Sequence, residues 1–591
     1  MGKKAPKVLE PGRLSSRNLW GYSLGGVGRD MTYQLVNTCL TIFILFAKGL
    51  TPAQYAAIGV IIIVCRIFDG CNDPLMGMLI EKTRTKIGKF KPWILIGCFT
   101  NIAVILSLFL VPLQGNAYVI FFAFGYLLWG ITYTMNDIAY WGMMPSLTSH
   151  PEDRNNISTI ANACAGVGAG IVVLLVPAIT QDTRFMLGSN AETSFQIVAG
   201  IVCALFAICQ IMTCLVVKEP ALLEAPAEEK KEKRGLGAMF KVLFKNDQLL
   251  VTAGSMLMYN IGSAILAALS TFWIYFRICG YNGLLASVFS GVTGVSMAII
   301  VFYPALSKKF TRKQIAKISV SAVVIGYALM FIVALVTGLI PAARTNLIAL
   351  FAIGICGAIA SFGQALYYQV LTISVSNTVE YNELKTGKRD EGMIFSVRPF
   401  MAKLGSSFVE AIKTITLIAL GVLTYTNTIA EYDKELKLKI IDETQFNNKI
   451  ADLLSGVPEY VHHVLIGVMT ILPMLLVLGS FILYLKKYTI DEKQYDDICA
   501  QIKERKENGK SVCDCECHCN CAEGECDENC DCDCTFEDGQ CEKHENGECC
   551  CCHDTEECDC DCHDHEEKCT CGCCPEHTAP EEATETAADA E

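Results

Sequence analysis

Four aspartates lie inside otherwise apolar stretches of membrane-spanning length near the start of the chain: Asp30, Asp69, Asp73 and Asp137. An ionised side chain at the bilayer centre costs about 2.5–3.5 kcal/mol on insertion scales, so such residues usually face a cavity, a partner or a transported ion. A helix that only supports structure has little reason to carry them. Their placement therefore predicts a transporter.

Three polar residues fall on one face of the second apolar stretch: Asp69, Asn72 and Asp73. Residues three and four apart on a helix are neighbours, with Cβ atoms about 5–6 Å apart. Two carboxylates at that distance need a compensating cation or a shared proton in a medium of low dielectric constant. Carboxylate and amide oxygens are hard ligands, which suit Na⁺, Li⁺ or H⁺ better than a soft metal. The spacing predicts a coupling-cation site, and the alternative is a structural ion pair with Arg66, with a helix break near residue 74.

Asp30 and Asp137 form a second set of candidate functional residues. Asp30 follows the glycines of LGGVGRD, where small residues permit close helix packing, and Asp137 stands near Trp141 in TYTMNDIAYWGMMP. Carboxylates that accept hydroxyl hydrogen bonds beside an aromatic ring form a common sugar-binding combination. The alternative is that Arg29 pairs with Asp30 and that Trp141 is an interfacial anchor.

The elements that must position these residues are membrane helices. The mean hydropathy of +0.37 and the 52% hydrophobic composition of this 591-residue chain suit a polytopic membrane protein. Windows of about 20 apolar residues predict twelve helices, near residues 20–46, 53–80, 93–113, 117–143, 157–180, 194–217, 247–275, 283–304, 315–338, 345–375, 393–423 and 460–485.

Lys and Arg concentrate in loops of one parity, namely 81–92, 218–246 and 305–317, which places both termini in the cytoplasm. The predicted organisation is a cytoplasmic N-terminus (1–18), two six-helix halves (19–218 and 247–486), a cytoplasmic linker (219–246) and a cytoplasmic tail (487–591). The outer segment 424–459 receives no predicted role. From Cys513 onward, 27 acidic residues face two lysines, so the acidity of the chain belongs to its tail.

Four stretches resemble the glycoside–pentoside–hexuronide:cation symporter family, of which the melibiose permeases are members: GRDMTYQLVNTCL, VCRIFDGCNDPLMGMLIEKTRTKIGKFKPWILIG, LLWGITYTMNDIAYWGMMPSL and SNTVEYNELKTGKRDEGMIFSVRPFMAKLGSSF. The resemblance covers about residues 15–490. It implies an all-α, twelve-helix major facilitator fold and symport by alternating access in a cell membrane.

The resemblance also implies residue roles. Asp69, Asn72, Asp73 and Thr134 match the family's cation site, and Asp30, Asp137 and Trp141 match its sugar contacts. Lys403 matches a lysine on the eleventh helix that faces the cation region, and it is a further candidate substrate-binding residue. One departure is the stretch NNISTIANACAGVG, which lacks the arginine of the melibiose carriers. The segment VEYNELKTGKRDEG is more similar to the lactose, xyloside and glucuronide carriers, and the sugar itself stays open.

The tail contains 21 of the 32 cysteines between residues 513 and 574. It lacks the residues of an apolar core and is predicted to be disordered without a ligand. Because cytoplasmic thiols stay reduced, the dense CxC and CC spacing predicts Zn²⁺ or Cu⁺ binding within 513–577 rather than disulfides. The candidate ligands are Cys513, Cys515, Cys517, Cys519, Cys521, Cys532, Cys534, Cys549, Cys550, Cys551 and Cys552.

Three functions therefore compete. The first is cation-coupled symport of a glycoside, oligosaccharide, pentoside or hexuronide, with sugar, coupling cation and membrane lipid as partners and no enzymatic cofactor. The second is a metal-responsive membrane protein that works through its tail, and the third is a lipid carrier of the same superfamily. The sequence shows no enzymatic motif and no nucleic-acid-binding feature, and it leaves protein partners open.

Overall fold

The computed structural model describes residues 14–148, 151–218, 236–295, 303–338, 347–387 and 390–507. These residues contain helices and no β-strand. They form two compact units, one within Met1–Thr378 and Glu391–Glu492 and the other within Val379–Asp390 and Lys493–Glu591. Apart from Val379–Asp390, both predicted six-helix halves belong to the first unit. In the second unit, the Arg505 guanidinium donates to the Leu384 carbonyl oxygen at 2.8 Å.

The described residues of the first half of the chain contain eight α-helices, a π-helical turn at Leu35–Cys39 and a 3-10 turn at Met144–Leu147. The helices are α1 (Ser16–Ser23), α2 (Gly25–Gln34), α3 (Leu40–Ala47), α4 (Pro52–Lys82), α5 (Lys91–Leu110), α6 (Gly115–Met143), α7 (Pro151–Gln181) and α8 (Ala191–Val216).

The rest of the chain contains eleven further α-helices among its described residues, and a π-helical turn at Tyr275–Cys279. They are α9 (Leu236–Lys245), α10 (Asp247–Ile274), α11 (Gly283–Val295), α12 (Tyr303–Ser307), α13 (Arg312–Gly338), α14 (Leu347–Thr386), α15 (Glu391–Ala419), α16 (Val422–Lys437), α17 (Glu443–Ser455), α18 (Glu459–Lys487) and α19 (Glu492–Glu507).

Each of the twelve predicted spans contains a helix. Among the described residues, ten segments are long and apolar enough to cross a membrane, and α15 with α16 makes an eleventh if this pair, bent by 81°, counts as one span. The eighth predicted span is described only as the short apolar helix α11. Helix α1 starts slightly before predicted residue 19, α9 lies inside the predicted linker, and α19 lies inside the predicted tail.

Helix α4 begins with a capping box, in which Thr51 and Gln54 satisfy each other's backbone N–H groups. It then runs without interruption from Pro52 to Lys82, so the helix break expected near residue 74 is not there. Asp69, Asn72 and Asp73 consequently share one helix face. Helix α4 packs against α6 of its own half and against α15 of the other half, which brings candidate residues of three helices together.

Helices α16 and α17 occupy the segment 424–459, which had no predicted role. The Asp433 carboxylate is buried and accepts hydrogen bonds from the Asn190 side chain at 2.6 Å and from the Ala191 N–H at 2.8 Å. Asn190 is the N-cap of α8, so Asp433 completes the cap of a helix in the other half. Glu192 adds contacts to Lys437 at 3.1 Å and to Lys48 at 3.7 Å. We call this contact the α16 clasp, and it ties the two halves together at one end of the bundle.

We expect the α16 clasp to contribute measurably to stability. Removing one partner of a buried hydrogen bond leaves an unsatisfied group that costs about 1–3 kcal/mol. Asp433→Ala and Asn190→Ala should each lower the melting temperature, and the double variant should lower it by less than the sum of the two. The exposed pair Arg277–Glu459, at 2.8 Å, is the matched control, since such pairs contribute about 0–1 kcal/mol. Additive effects at Asp433 and Asn190 would contradict the clasp.

Candidate functional site

The predicted cation residues lie together between α4, α6 and α15. Thr134 on α6 donates to Asp73 Oδ1 at 3.3 Å. The Lys403 ammonium group on α15 contacts Asp73 Oδ2 and donates to the Asp69 carbonyl oxygen at 3.4 Å. Lys403 belongs to the opposite half of the chain, so this cluster spans the interface between the halves. Lys403 is a candidate substrate-binding residue predicted to face the cation region, and in the structure it contacts Asp73 and Asp69 of the cation cluster.

Two polar atoms of this cluster are buried and have no hydrogen-bond partner among the described residues: Asp69 Oδ1 and Asn72 Nδ2. A buried polar atom without a partner is rare in native proteins and calls for an explanation such as a ligand or an ion. Asp69 Oδ1 can accept a cation or a proton beside the Asp73 carboxylate. The alternative pairing of Arg66 with an aspartate is not what the structure shows, since the guanidinium donates to Asn37 Oδ1 at 2.6 Å and to Ser406 Oγ at 3.1 Å.

Gly130 on α6 has no side chain and thereby leaves room for the Asp69 carboxylate. A Cβ atom at this position would overlap Asp69 Oδ1, because the two atoms would stand closer than van der Waals contact allows. The sequence analysis did not identify Gly130. Its position in the fourth predicted span, opposite a charged helix face, is the only signal that could have identified it.

We expect Gly130→Ala to weaken cation binding by about tenfold, which corresponds to about 1.4 kcal/mol, because the added methyl group displaces the Asp69 carboxylate. The change adds only one methyl group to a helix, so the fold should be retained. Gly77→Ala on α4 is the matched control, since a Cβ atom there meets nothing within 4 Å. Na⁺ titration of both purified variants tests this, and equal affinities in the two would rule out the proposed role of Gly130.

The predicted sugar contacts meet around Arg29. The Arg29 side chain is buried and donates through Nε to Asp30 Oδ2 at 3.0 Å, while Nη1 lies 2.9 Å from Asp137 Oδ1. Its Cζ atom lies 4.8 Å from the ring centre of Tyr140 and 4.6 Å from that of Trp141. The pairing of Arg29 with Asp30, expected only as the alternative, is therefore present. It joins both aspartates and Trp141 into one site rather than separating them.

A buried aromatic pair supports this site from behind. Tyr22 and Tyr140 stack with ring centres 4.4 Å apart, and each hydroxyl donates to the other residue's carbonyl oxygen, at 3.0 Å and 2.8 Å. These reciprocal bonds fix α1 against α6 and hold the Tyr140 ring over Arg29. The arrangement offers carboxylate acceptors, a guanidinium donor and an indole face, which together can bind a polyhydroxylated ring.

The predicted metal ligands, Cys513 to Cys552, lie outside the described residues. Within the described part of the chain, no group of three or more His, Cys, Asp or Glu side chains is placed to hold a metal ion. The ten described cysteines have free thiols, and Cys39, Cys98 and Cys203 are buried in apolar surroundings. Zn²⁺ or Cu⁺ binding by the tail stays a prediction.

The sequence matches a known protein family and several relatives. A family model described as MFS/sugar transport protein matches residues 21–492. The raffinose carrier protein of Pediococcus pentosaceus is 28% identical over 68% of this chain and 62% of its own length. The lactose permease of Lactobacillus delbrueckii subsp. bulgaricus is 28% identical over 68% of this chain and 63% of its own length. The match thus spans slightly less than two thirds of these relatives.

A smaller relative and two solved structures complete the comparison. The isoprimeverose transporter of Lactiplantibacillus pentosus is 22% identical over 71% of this chain and 84% of its own length. A solved structure from a study of proton-dependent oligopeptide transporters superposes with a TM-score of 0.53 at 12% identity, over 82% of this chain and 99% of its own. The structure of a bacterial homologue of the human lysosomal transporter Spinster superposes with a TM-score of 0.50 at 15% identity, over 80% of this chain and 97% of its own length. These structures support the transporter fold.

Proposed function

The chain belongs to the MFS/sugar transport protein family and is an integral multi-pass membrane transporter, and from this premise we propose that it carries a glycoside, oligosaccharide, pentoside or hexuronide by cation-coupled symport. The names of its relatives, a raffinose carrier, a lactose permease and an isoprimeverose transporter, support a sugar substrate. The basic loops of one parity support cytoplasmic termini.

The charge of the cation cluster carries the proposal of cation coupling. Among the described residues, this cluster holds two carboxylates, Asp69 and Asp73, and one ammonium group, that of Lys403. The surplus is one negative charge. Because Asp69 Oδ1 is buried without a partner and an unpaired buried charge is costly, one monovalent cation or proton is the charge that would neutralise the cluster.

The contact of Lys403 with Asp73 suggests how coupling arises. In this conformation the ammonium group occupies the position at which Na⁺, Li⁺ or H⁺ would neutralise Asp73. An arriving cation would displace Lys403 from Asp73 and thereby loosen a contact between the two halves. Coupling then follows, because the cation binds with different free energy before and after the halves rearrange.

The sugar site communicates with the cation site through α6, which carries Thr134, Asp137 and Trp141. Asp137 and Thr134 are three residues apart and lie on neighbouring helix positions. A cation that fixes Asp73 and Thr134 would therefore also restrict Asp137. By linkage, sugar would raise the affinity for the cation by the same factor as the cation raises the affinity for sugar.

The experiment that tests this function measures cation movement in proteoliposomes that contain the purified protein. A panel of glycosides, pentosides and hexuronides is added while internal Na⁺ and pH are recorded. We expect at least one sugar to trigger influx of Na⁺ or H⁺, and this influx to be absent in Asp73→Asn. Sugar uptake that is indifferent to both ions would reject coupling, and silence across the panel would reject sugar symport.

A further inference from the structure

Exposed lysines gather at the end of the bundle where α10 begins and α18 ends. Lys245 is the last residue of α9, two residues before α10, and Lys486 and Lys487 are the last two residues of α18. Helices α10 and α18 are long and apolar enough to cross a membrane, and they pack along each other. The Thr489 N–H donates to Gln248 Oε1 at 2.9 Å, which fixes the two ends side by side. These lysines therefore lie at the boundary of the membrane-spanning region, where lipid headgroups are found.

Helix α9 adds a further lysine and an exposed aromatic ring to this end. Lys241, Phe244 and Lys245 are three and four residues apart, so they share one face of α9. Leu243 lies on the opposite face and is 3% exposed, whereas Phe244 is 69% exposed. Helix α9 packs against α10 and α15. Its outer side thus presents a phenylalanine between two lysines. We call the following residues the α9 patch: Lys241, Phe244, Lys245, Lys486 and Lys487.

The positive charge of the α9 patch is not neutralised by the part of the chain that the structure describes. Within that part, none of the four lysine side chains forms an ion pair or a hydrogen bond. The neighbouring Asp247 carboxylate accepts a hydrogen bond from Gln248 Nε2 at 2.7 Å instead. At the other end of the same two spans, Arg277 pairs with Glu459 at 2.8 Å. The two spans therefore balance their charge at one end and leave four positive charges at the other.

Anionic phospholipids supply the complementary charge at this depth. Lysines near a membrane surface attract anionic headgroups, and a cluster of four is enough to form a binding patch. Water would solvate the ammonium groups but would leave the apolar Phe244 ring exposed, which is unfavourable. A helix that carries lysines and an aromatic ring at the membrane boundary places the ring among the acyl chains and extends the lysines to the phosphates.

We propose that the α9 patch binds the phosphate groups of anionic phospholipids in the adjoining leaflet. The lysines donate to the phosphate oxygens, and the Phe244 ring packs on the upper carbons of the acyl chains. This inference depends on the membrane-spanning fold and is independent of the transported sugar. Because α9 packs against α15, which carries Lys403, a bound lipid also supports a helix of the cation cluster.

The test measures hydrogen exchange of α9 in the purified full-length protein, reconstituted in two kinds of vesicle. One contains phosphatidylcholine alone, and the other contains phosphatidylcholine and phosphatidylglycerol in equal parts. We expect the backbone amides of α9 to exchange about tenfold more slowly with phosphatidylglycerol, because bound headgroups hold the helix in place. Glycerol phosphate added to the phosphatidylcholine vesicles should leave the exchange unchanged. Protection of α9 by glycerol phosphate alone would overturn the assignment to lipid.

Charge variants separate the α9 patch from the other lysines of the protein. The difference between the two vesicles should disappear when all four lysines are replaced, in Lys241→Gln/Lys245→Gln/Lys486→Gln/Lys487→Gln. These side chains are exposed, so the fold should be retained, and Lys241→Gln/Lys245→Gln alone should reduce the difference in part. The matched control is Lys308→Gln/Lys309→Gln, which removes two exposed lysines before α13 and should keep the full difference.

Two results would contradict the α9 patch. The first is equal exchange of α9 in both kinds of vesicle for the unmodified protein. The second is a difference between the vesicles that persists when all four lysines are replaced, or that falls equally in the control variant, because the general positive charge of the protein would then account for it. Neither result bears on sugar transport.

Discussion

Sugar accumulation driven by a Na⁺ or H⁺ gradient is expected to disappear in Asp73→Asn. Asp73 is the carboxylate that both Lys403 and Thr134 contact, so it is the group at which a coupling cation would compete with the lysine. Coupling free energies between sites are commonly about 1–3 kcal/mol, or about 5–150-fold in affinity. Stimulation of sugar binding by the cation should fall from that range to none. Exchange of sugar down its own gradient should persist.

The measurement is sugar binding with and without Na⁺ at two pH values, followed by uptake into vesicles. The amide introduced by Asp73→Asn retains the size of the carboxylate, so the variant should fold, and its melting temperature checks this. Glu459→Gln removes a carboxylate from an exposed ion pair and should transport normally. If Asp73→Asn keeps the full response to Na⁺ and to pH, the coupling site lies elsewhere.

Lys403 provides an independent test of the same mechanism. The removal of its ammonium group in Lys403→Met would leave Asp69 and Asp73 without their cation from the other half. If the lysine competes with the coupling cation, the variant should bind Na⁺ more tightly but respond to sugar less. If the lysine only supports the site, both affinities should fall together. The two outcomes separate competition from support.

The helices and the polar clusters on them could be predicted from the sequence because both depend on local spacing. Apolar windows located all ten described segments that are long and apolar enough to cross a membrane, and the spacing of Asp69, Asn72 and Asp73 placed them on one helix face. The contact between Thr134 and Asp73 followed from the family resemblance and is present. These features depend on helical geometry and on the thickness of the bilayer, which constrain all membrane proteins built from helices.

Features that depend on long-range packing could not be predicted in this way. Gly130 is one of 46 glycines, and only its distance to Asp69 distinguishes it. The Arg29 guanidinium looked like a competitor for Asp30, whereas its fixed fork geometry lets it contact Asp30 and Asp137 together. Asp433 lies far along the chain from Asn190, and nothing in its local sequence indicates that it caps a helix of the other half.

The α16 clasp and the central clusters together describe how alternating access would operate. The clasp holds the halves at one end through buried hydrogen bonds, while the Lys403–Asp73 contact holds them near the middle. A cation that breaks the Lys403–Asp73 contact would loosen the halves near the middle of the bundle, while the α16 clasp would still hold them at its end. Contacts of limited strength between the halves would allow both conformations to be populated, because a ligand shifts an equilibrium only by its differential affinity.

Asp137→Asn is expected to weaken sugar binding by about 10–100-fold and to leave Na⁺ binding close to normal. A hydrogen bond to a charged group contributes about 1.5–3 kcal/mol, and the neutral amide loses most of it. Arg29 would keep Asp30 as its partner, so its charge would not be left unpaired in the bundle. The affinity for sugar at saturating Na⁺, and for Na⁺ without sugar, gives both values. A parallel loss of both would mean that Asp137 belongs to the cation site, and unchanged sugar affinity would place the sugar away from Arg29.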